Sequence, residues 1–391
     1  MTEDVKIVNK AYKFRIYPNQ EQASKIDRNI GSARFVYNHF LDIKIETYKE
    51  TKESLTYNTL AKELPKLKKL DDYKWLKEAD STSLQQSLKD LDKSYQNFFR
   101  GLKKKSNIGF PKFKSKHKAK LSYRITMSTA IIDDSHISIP KVGVLKARHG
   151  FITPKVNKLN DITKIVNATI SKSRSGKYFI SLACEVAVKP KQSTSKRVGI
   201  DLGVKYLVTL SEEINPIPNP KHLQKYLSKL AKEQRILARR VKGSNNRAKQ
   251  KLKVSRLHDK ITNSRRNYLN QVSSYLVNTY DVIVMEDLDV KSMLENEENK
   301  DPKYNMTRRI SDASFAELKR QLEYKCDWYG KQLLKISRYY PSSKTCSNCG
   351  EIKDQLERSE SVYECEACGL VIDRDKNASI NILTVGTTGL A

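Results

Sequence analysis

The sequence predicts an α+β protein of several domains, with a helical segment, a β segment and an α/β segment in that order. The first observation is length: 391 residues exceed what one compact core usually organises. The second is patterning, since apolar residues recur with helical spacing early in the chain and as short β runs in its middle. The third is two Cys-x-x-Cys pairs near the C-terminus, which indicate a separate small module.

The first segment, residues 5–17, has the composition of a β-strand and stops at Pro18. Beyond it, apolar side chains recur at spacings of three and four residues, as in Ile26, Ile30, Ala33, Val36 and Phe40. This spacing places them on one face of a helix. Residues 20–105 are therefore predicted to form an all-helical unit, inserted into a β domain to which the first strand belongs.

The middle segment, residues 125–188, consists mostly of short β runs. Two of them, residues 168–172 and 178–182, flank Ser175-Gly176, a pair typical of a hairpin turn. We expect these runs to form a small barrel or sandwich that the N-terminal strand completes.

The C-terminal half alternates apolar β runs with long helical stretches, as expected for an α/β domain. The predicted strands are residues 197–200, 206–210, 281–285 and 333–336, and the predicted helices are residues 220–242, 246–279 and 313–331. A short final helix is predicted after Asp375.

Cys346-Ser-Asn-Cys349 and Cys365-Glu-Ala-Cys368 form two pairs separated by fifteen residues. Each pair can direct two sulfurs at one ion, so the four thiolates can close a tetrahedral Zn²⁺ site. A glycine stands one residue past each pair and supplies the backbone freedom that such a turn needs. The alternatives are four free thiols or two disulfides.

Three acids stand where predicted elements begin or end: Asp201 and Glu286 end β runs, and Asp375 begins the final helix. Strands that end in acids bring carboxylates to one edge of a sheet, where they repel each other unless cations bind between them. Mg²⁺ is the fitting ion because it prefers oxygen ligands, and two such ions can support phosphodiester hydrolysis. Arg374 is a candidate phosphate contact, and Asn377 is a candidate to orient Asp375 or a metal-bound water.

Each of these acids alone has a plain structural alternative. A strand-terminal acid is often an exposed strand end, Asp375 can be a helix N-cap, and Glu286 can pair with a lysine. The ordered set, with the cysteine module just before the third acid, is more specific than any single member.

The chain carries 74 Lys+Arg against 44 Asp+Glu, a formal net charge of +30. Such an imbalance favours a polyanionic partner, with nucleic acid ahead of a membrane surface. Residues 101–126 hold nine Lys/Arg and no acid, and residues 221–266 hold sixteen Lys/Arg and two acids. The alternative for the first tract is a solvated connector. The candidate nucleic-acid contacts are Lys103, Lys104, Lys105, Lys112, Lys114, Arg124, Arg239, Arg240, Arg265, Arg266 and Arg374.

The sequence shows no apolar run of membrane-spanning length and no signal-peptide core at its start, so no membrane partner is expected. The two cysteines outside the pairs, Cys184 and Cys326, are predicted to be buried packing residues. Both observations fit a cytoplasmic protein.

Seven sequence blocks carry a family resemblance in chain order. The first four are Tyr12-Lys-Phe-Arg-Ile-Tyr-Pro18, Gly31-Ser-Ala-Arg34-Phe-Val-Tyr37-Asn38, Phe110-Pro-Lys-Phe113-Lys and Gly199-Ile-Asp201-Leu-Gly203. The others are Met285-Glu286-Asp287-Leu288, Pro341-Ser-Ser-Lys-Thr-Cys346 and Asp373-Arg-Asp375-Lys-Asn377-Ala. Together they resemble TnpB, the family of transposon-encoded RNA-guided DNA endonucleases related to type V CRISPR effectors. The resemblance covers essentially the whole chain, and its last block is highly specific.

The resemblance implies a β-barrel wedge domain that grips the guide RNA scaffold, with a helical recognition insertion that contacts the guide–target duplex. It also implies a RuvC nuclease domain of RNase H-like α/β fold, into which the four-cysteine zinc finger is inserted. The implied boundaries are 1–19 and 110–190 for the wedge, 20–109 for the helical insertion, 191–340 and 371–391 for the nuclease, and 341–370 for the zinc finger.

The resemblance further implies that Asp201, Glu286 and Asp375 are catalytic and bind two Mg²⁺ ions. Asp375 is preferred because the acid of related nucleases stands two residues before the asparagine, and Asp373 is its rival. The implied cofactors are structural Zn²⁺, catalytic Mg²⁺ and a guide RNA derived from the transposon end. The implied substrate is double-stranded DNA beside a short flanking motif, cut in a prokaryotic, nucleoid-associated setting by one protein per RNA.

Two alternatives stay open at this point. Some relatives have lost the acids and act as RNA-guided repressors, which the three acids present here argue against. An RNA-independent accessory protein of a transposase is the other alternative, and it would bind transposon-end DNA without any RNA.

Overall fold

The computed structural model describes residues 5–104, 108–126, 130–133, 135–148, 162–212, 215–295, 305–357 and 360–388. The chain divides into two compact units. The N-terminal unit is residues 7–187, and the C-terminal unit is residues 188–391 with the start of the chain. The fold is thus a mixed α/β one of more than one domain, as predicted.

In the part of the N-terminal unit that the structure describes, the helical segment consists of three α-helices and one 3-10 helix. They are α1 (Gln20–Thr51), α2 (Tyr57–Leu67), the 3-10 helix Asp71–Glu78 and α3 (Ser81–Lys103). Helix α1 begins with a reciprocal cap, in which Asn19 accepts from the Gln22 backbone and the Gln22 side chain accepts from the Asn19 backbone. Phe40, Leu84 and Leu88 are buried between the helices. The all-helical unit predicted for this segment is confirmed.

Among the described residues of the N-terminal unit, seven strands form one sheet. They are β1 (Lys6–Tyr17), β2 (Ser122–Thr126), β3 (Ala130–Asp133), β4 (His136–Ile139), β5 (Gly143–Arg148), β6 (Ile162–Lys172) and β7 (Tyr178–Val188). Their order is β2-β6-β7-β1-β5-β4-β3, so the N-terminal strand does complete the sheet. The β6–β7 hairpin is confirmed, and its Gly176 has a φ of 78°. Within the described residues the strand order places β2 and β3 at its two ends.

The C-terminal unit is built on a five-stranded sheet of order β10-β9-β8-β11-β12. The strands are β8 (Arg197–Asp201), β9 (Tyr206–Leu210), β10 (Ile217–Pro218), β11 (Val282–Glu286) and β12 (Gln332–Ile336). Strand β11 pairs in parallel with β8 on one side and β12 on the other. A separate two-stranded ribbon joins β13 (Val362–Glu364) to β14 (Val371–Asp373).

The described residues of this unit include six helices that accompany the sheet. They are α4 (His222–Arg239), α5 (Asn245–Thr279), α6 (Val290–Glu295), α7 (Met306–Ala313), α8 (Phe315–Tyr329) and α9 (Arg374–Thr387). The predicted pair of long helices corresponds to α4 and α5. Nowhere in the described ranges is a helix both long and apolar enough to cross a bilayer.

Two glycines allow helix α9 to lie directly on the sheet. A Cβ added to Gly199 in β8 would stand 2.1 Å from the Ser379 carbonyl oxygen of α9. A Cβ added to Gly386 in α9 would stand 2.2 Å from Cγ1 of Val284 in β11. The close approach fixes the height of α9, and with it Asp375, over the ends of β8 and β11.

Gly199→Ala is therefore expected to destabilise the C-terminal unit by about 1–3 kcal/mol, because the new methyl group overpacks against helix backbone. Thermal unfolding of the purified protein measures the loss. Gly31→Ala is the matched control, since nothing lies within 4 Å of its added Cβ in α1, and there alanine should be neutral or slightly stabilising. Equal melting temperatures for Gly199→Ala and wild type would contradict the tight packing.

A buried lysine joins α8 to α5. Lys325 is 5% exposed, and its Nζ donates to Asn270, Ser273 and Ser274 at 2.7–2.9 Å. All of these acceptors are neutral. Burial lowers the pKa of Lys325 from 10.5 to about 8, because the charged ammonium loses its hydration.

Lys325→Met is expected to change how stability depends on pH. Between pH 8 and 10.5 the unfolded chain holds a proton on this lysine that the folded chain has released, so the wild-type free energy of unfolding rises with pH in that window. From pH 8 to pH 10 the wild type should gain about 2 kcal/mol relative to the variant. Denaturant unfolding at both pH values measures the difference. The control Lys229→Met changes an exposed lysine, and its free energy of unfolding should differ from that of the wild type by the same amount at both pH values. The same result for Lys325→Met would contradict the effect of burial on Lys325.

Candidate active site and metal centre

The parallel register of β8 and β11 places two of the three predicted acids side by side. Ile200 pairs with Met285, so the next position in register sets Asp201 opposite Glu286. Neighbouring strands lie about 4.8 Å apart, and both acids end their strands at the same edge of the sheet. The prediction that strand ends deliver these carboxylates to one edge is confirmed.

Helix α9 supplies the third acid. Asp375 lies in its first turn, and its Oδ2 is 4.0 Å from the position that a Cβ on Gly203 would take. Gly203 follows β8 by two residues, so Asp375 stands next to the strand end that carries Asp201. The rival Asp373 is exposed and caps α9, because its carboxylate accepts from the Lys376 backbone N–H at 3.0 Å.

The three carboxylates share one electrostatic environment. Burial, followed by repulsion from Asp375 and Glu286, raises the pKa of Asp201 to about 7. Burial also raises the pKa of Glu286, against a hydrogen bond that Ser342 donates to its Oε1 at 2.5 Å. Burial and the neighbouring Asp373 raise the pKa of Asp375. A divalent cation bound among the three acids would relieve this repulsion. The three carboxylates provide the oxygen ligands and the negative charge that Mg²⁺ prefers.

The acids open into a cleft of about 940 Å³. Its wall includes Arg374 and Ser342 beside the three carboxylates. An adjoining cleft of about 800 Å³ shares Val204 and Lys205 with it. Four cations line this second cleft: Lys205, Lys221, Arg308 and Arg309. A positively charged groove therefore leads to the carboxylates.

The four predicted cysteine ligands converge in the C-terminal unit. Their sulfurs all lie within 4.8 Å of one another. The Cys346–Cys368 and Cys349–Cys365 sulfur pairs are each 3.6 Å apart. A tetrahedral zinc ion with bonds of about 2.3 Å needs sulfur separations near this value. The cluster can therefore hold Zn²⁺, and no open coordination position would remain for a substrate.

Backbone geometry around the sulfurs supports the same conclusion. Gly350 and Gly369, the predicted glycines, have φ values of 81° and 71°, and each donates its N–H back to the first cysteine of its pair. The Asn348 amide and the Leu370 backbone lower the pKa of the Cys368 thiol, whereas burial and the three neighbouring thiols raise the pKa of Cys349, so the four thiols titrate as one cluster.

Asn377 has a different role from the one predicted. It is fully buried, and its amide donates to the Thr345 carbonyl oxygen at 2.7 Å and accepts from the Ser347 N–H at 2.9 Å. Asn377 thus holds the first cysteine turn against α9 instead of orienting Asp375. The Arg374 guanidinium donates to the carbonyl oxygens of Glu357 and Glu360, and its Nε lies 4.0 Å from Asp375.

The candidate nucleic-acid contacts fall into different settings. Six of them are exposed side chains: Lys103, Lys104, Lys112, Arg239, Arg240 and Arg266. Three others have protein partners, since Lys114 stacks on Tyr37 at 3.5 Å, Arg124 pairs with Asp90 at 2.5 Å, and Arg265 pairs with the buried Asp312 at 2.7 Å. Lys105 lies outside the described residues. The two cysteines predicted to pack inside do so, because Cys184 and Cys326 are at most 2% exposed.

Comparison with known families covers three stretches of the chain. Residues 181–297 match the family described as OrfB_IS605, "Probable transposase". Residues 315–382, which include the cysteine cluster and Asp375, match the Cas12f1-like TNB domain. Residues 6–53 match a domain described as helix-turn-helix, although here they form β1 and the uninterrupted helix α1.

Curated relatives align along nearly the whole chain. A Streptomyces pristinaespiralis protein named "Putative RNA-guided DNA endonuclease" is 36% identical over 98% of this chain and 91% of its own. The Escherichia coli protein "Putative RNA-guided DNA endonuclease InsQ" is 34% identical over 97% and 93%. The chain belongs to the same family as these two relatives, whose names describe putative RNA-guided DNA endonucleases. This is the TnpB family, and two mimivirus proteins named TnpB-like are 32% and 35% identical to this chain over 60% and 51% of its length.

One solved structure agrees in fold. The cryo-EM structure of CasPhi-2 (Cas12j) bound to crRNA has a TM-score of 0.54 against this chain at 10% identity, covering 97% of this chain and 98% of the other. At this identity the likeness shows the fold alone, which is a mixed α/β multidomain fold resembling that of Cas12 effectors.

Proposed function

We propose that the protein is an RNA-guided, Mg²⁺-dependent DNA endonuclease whose active site is Asp201, Glu286 and Asp375. The observation that carries the proposal is the register of β8 and β11, which sets Asp201 opposite Glu286, with α9 bringing Asp375 beside them. Three partly buried acids at one sheet edge are costly to fold unless cations neutralise them. Their clustering is thus explained by metal binding better than by strand ends or helix caps.

Each residue of the site has a distinct part in this proposal. The negative charges of both Asp375 and Glu286 act on Asp201 and help to raise its pKa. Glu286 is fixed by Ser342, and Asp375 is fixed by the first turn of α9. Two Mg²⁺ ions held by these carboxylates would activate water and stabilise the leaving oxygen of a phosphodiester. Asp373 is assigned to helix capping instead of catalysis.

The remaining parts of the chain fit roles in holding nucleic acid. We assign the sheet and the helices of the N-terminal unit to the wedge and the helical recognition insertion, and the C-terminal unit to a RuvC nuclease domain with its zinc finger. The guide RNA would come from the transposon end, and a short motif would flank the DNA target. In such a system base pairing reads the sequence while the protein reads shape.

The basic groove is the path that best fits a DNA strand. Lys205, Lys221, Arg308 and Arg309 line it, and it joins the carboxylate cleft at Lys205. Cations placed along a groove neutralise backbone phosphates without reading bases. The strand would therefore reach the acids with its phosphates held along this wall.

The proposal is tested by expressing the gene with its native flanking DNA and sequencing the RNA that copurifies with the protein. We expect one dominant RNA with a constant scaffold. Its variable end is then replaced by a chosen guide, and plasmids with matching targets and randomised flanks are offered in Mg²⁺ or in EDTA. Cutting should require the match, one flanking motif and the metal.

Two other results would replace the proposal. Target occupancy without strand breaks in Mg²⁺ or Mn²⁺ would support a nuclease-silent RNA-guided repressor. Binding of transposon-end DNA that survives RNase treatment, with no dominant RNA, would support an RNA-independent accessory protein.

A further inference from the structure

Ser342 lies at the junction of the cysteine module and the carboxylate site. It is 6% exposed, and its hydroxyl donates to Oε1 of Glu286 at 2.5 Å. In sequence it stands four residues before Cys346 and far from Glu286. Nothing in its local pattern distinguishes it from the neighbouring Ser343, so the contact is visible only in the folded chain.

The backbone of Ser342 is itself held in place. Its carbonyl oxygen accepts from Nδ2 of Asn381 at 2.8 Å, and its N–H donates to the Tyr340 carbonyl oxygen at 2.8 Å. The same Asn381 amide donates to the Thr345 carbonyl oxygen at 2.6 Å. Asn381 is 5% exposed, so these hydrogen bonds are shielded from water.

Asn381 and Asn377 lie one turn apart on α9, the helix that carries Asp375. Both donate to Thr345. The segment from Ser342 to Thr345 is thus hydrogen-bonded to α9, the helix that carries Asp375. The hydroxyl of Ser342 in the same segment is hydrogen-bonded to Glu286. Glu286 and Asp375 are about ninety residues apart in sequence, and the hydrogen bonds of the segment 342–345 link their positions.

We propose that Ser342 is a positioning residue that fixes the plane of the Glu286 carboxylate for cation binding. A glutamate at a strand end can rotate about its last torsion, and a donor on one oxygen restricts that rotation while leaving lone pairs for a metal. Partners of this kind, which orient a ligand without touching the metal, typically contribute about 10–100-fold in affinity or activity. The proposal rests on the proposed nuclease function for its catalytic part, and on the hydrogen bonds alone for its metal-binding part.

The test compares Ser342→Ala, Ser342→Thr and the control Ser337→Ala, which removes an exposed hydroxyl five residues earlier. Target binding, cleavage rate at saturating target, and the Mg²⁺ concentration for half-maximal rate are measured on the full protein with its RNA. We expect Ser342→Ala to cut about 10–100-fold more slowly and to need more Mg²⁺, with unchanged target binding. Ser342→Thr should restore the rate, and Ser337→Ala should match wild type.

A second readout separates this proposal from the nuclease assignment. Mn²⁺ binding to the RNA-free full-length protein is titrated by electron paramagnetic resonance, and zinc content and melting temperature are recorded for each variant. Weaker Mn²⁺ binding by Ser342→Ala with normal zinc content supports the positioning role even if no DNA is cut. Unchanged Mn²⁺ affinity and Mg²⁺ dependence, a threonine variant as impaired as alanine, or loss of zinc in Ser342→Ala would each overturn it.

Discussion

Replacement of Asp201 by asparagine is expected to abolish DNA cleavage while leaving RNA and target binding intact. Asparagine preserves the shape of the side chain but removes the charge that a cation needs. A metal ion stabilises a phosphoryl transition state by several kcal/mol, and a loss of about 4 kcal/mol is about a thousand-fold in rate. Glu286→Gln and Asp375→Asn should behave in the same way, because the three carboxylates share one site.

Cleavage of a matched plasmid and target binding by gel shift are measured in parallel on each purified variant. Two nearby acids provide controls. Asp287→Asn changes an acid that pairs with Lys319 beside the site, and it should cut. Asp373→Asn should also cut, since asparagine caps a helix as well as aspartate does.

These controls decide between the two acids of the last sequence block. Loss of cutting in Asp373→Asn with normal cutting in Asp375→Asn would transfer the catalytic role to Asp373. Normal cutting by Asp201→Asn would remove the active-site assignment altogether, because the charges of both other acids act on Asp201.

Local sequence patterns predicted the features that depend on local spacing. The strand-terminal positions of Asp201 and Glu286 follow from apolar runs of fixed period, and the cysteine cluster follows from two Cys-x-x-Cys turns with their glycines. Both are consequences of short-range geometry, which a single sequence displays directly.

Contacts between distant segments were not predictable in the same way. The Ser342–Glu286 hydrogen bond joins residues fifty-six positions apart, and Asn377 contacts a turn thirty positions before it. Charge counting likewise gave no sign that Arg124 and Arg265 pair with Asp90 and Asp312. In each case the partner is fixed by tertiary packing, for which composition and periodicity carry no signal.

Cys346→Ser is expected to release zinc, destabilise the C-terminal unit and abolish cleavage together. Sulfurs only 3.6 Å apart cannot all be ionised without a cation between them, so loss of one ligand should empty the cluster and unfold its turns. Unfolding of the first turn would remove the Thr345 carbonyl oxygen that accepts from the buried amides of both Asn377 and Asn381. Each unmade buried hydrogen bond costs about 1–3 kcal/mol, which predicts a fall in melting temperature of about 10 °C.

The damage should extend to the acids because the same two asparagines lie on the helix that carries Asp375. Zinc per chain by plasma mass spectrometry, melting temperature and cleavage are measured on one preparation. Cys184→Ala, which removes a buried thiol in the N-terminal unit, should retain one zinc ion per chain and cut DNA. A Cys346→Ser protein that loses zinc yet melts and cuts like wild type would show that α9 holds Asp375 without the cysteine module. If Cys346→Ser loses both zinc and cleavage but still binds RNA, the cysteine module stabilises the active site through Asn377 and Asn381.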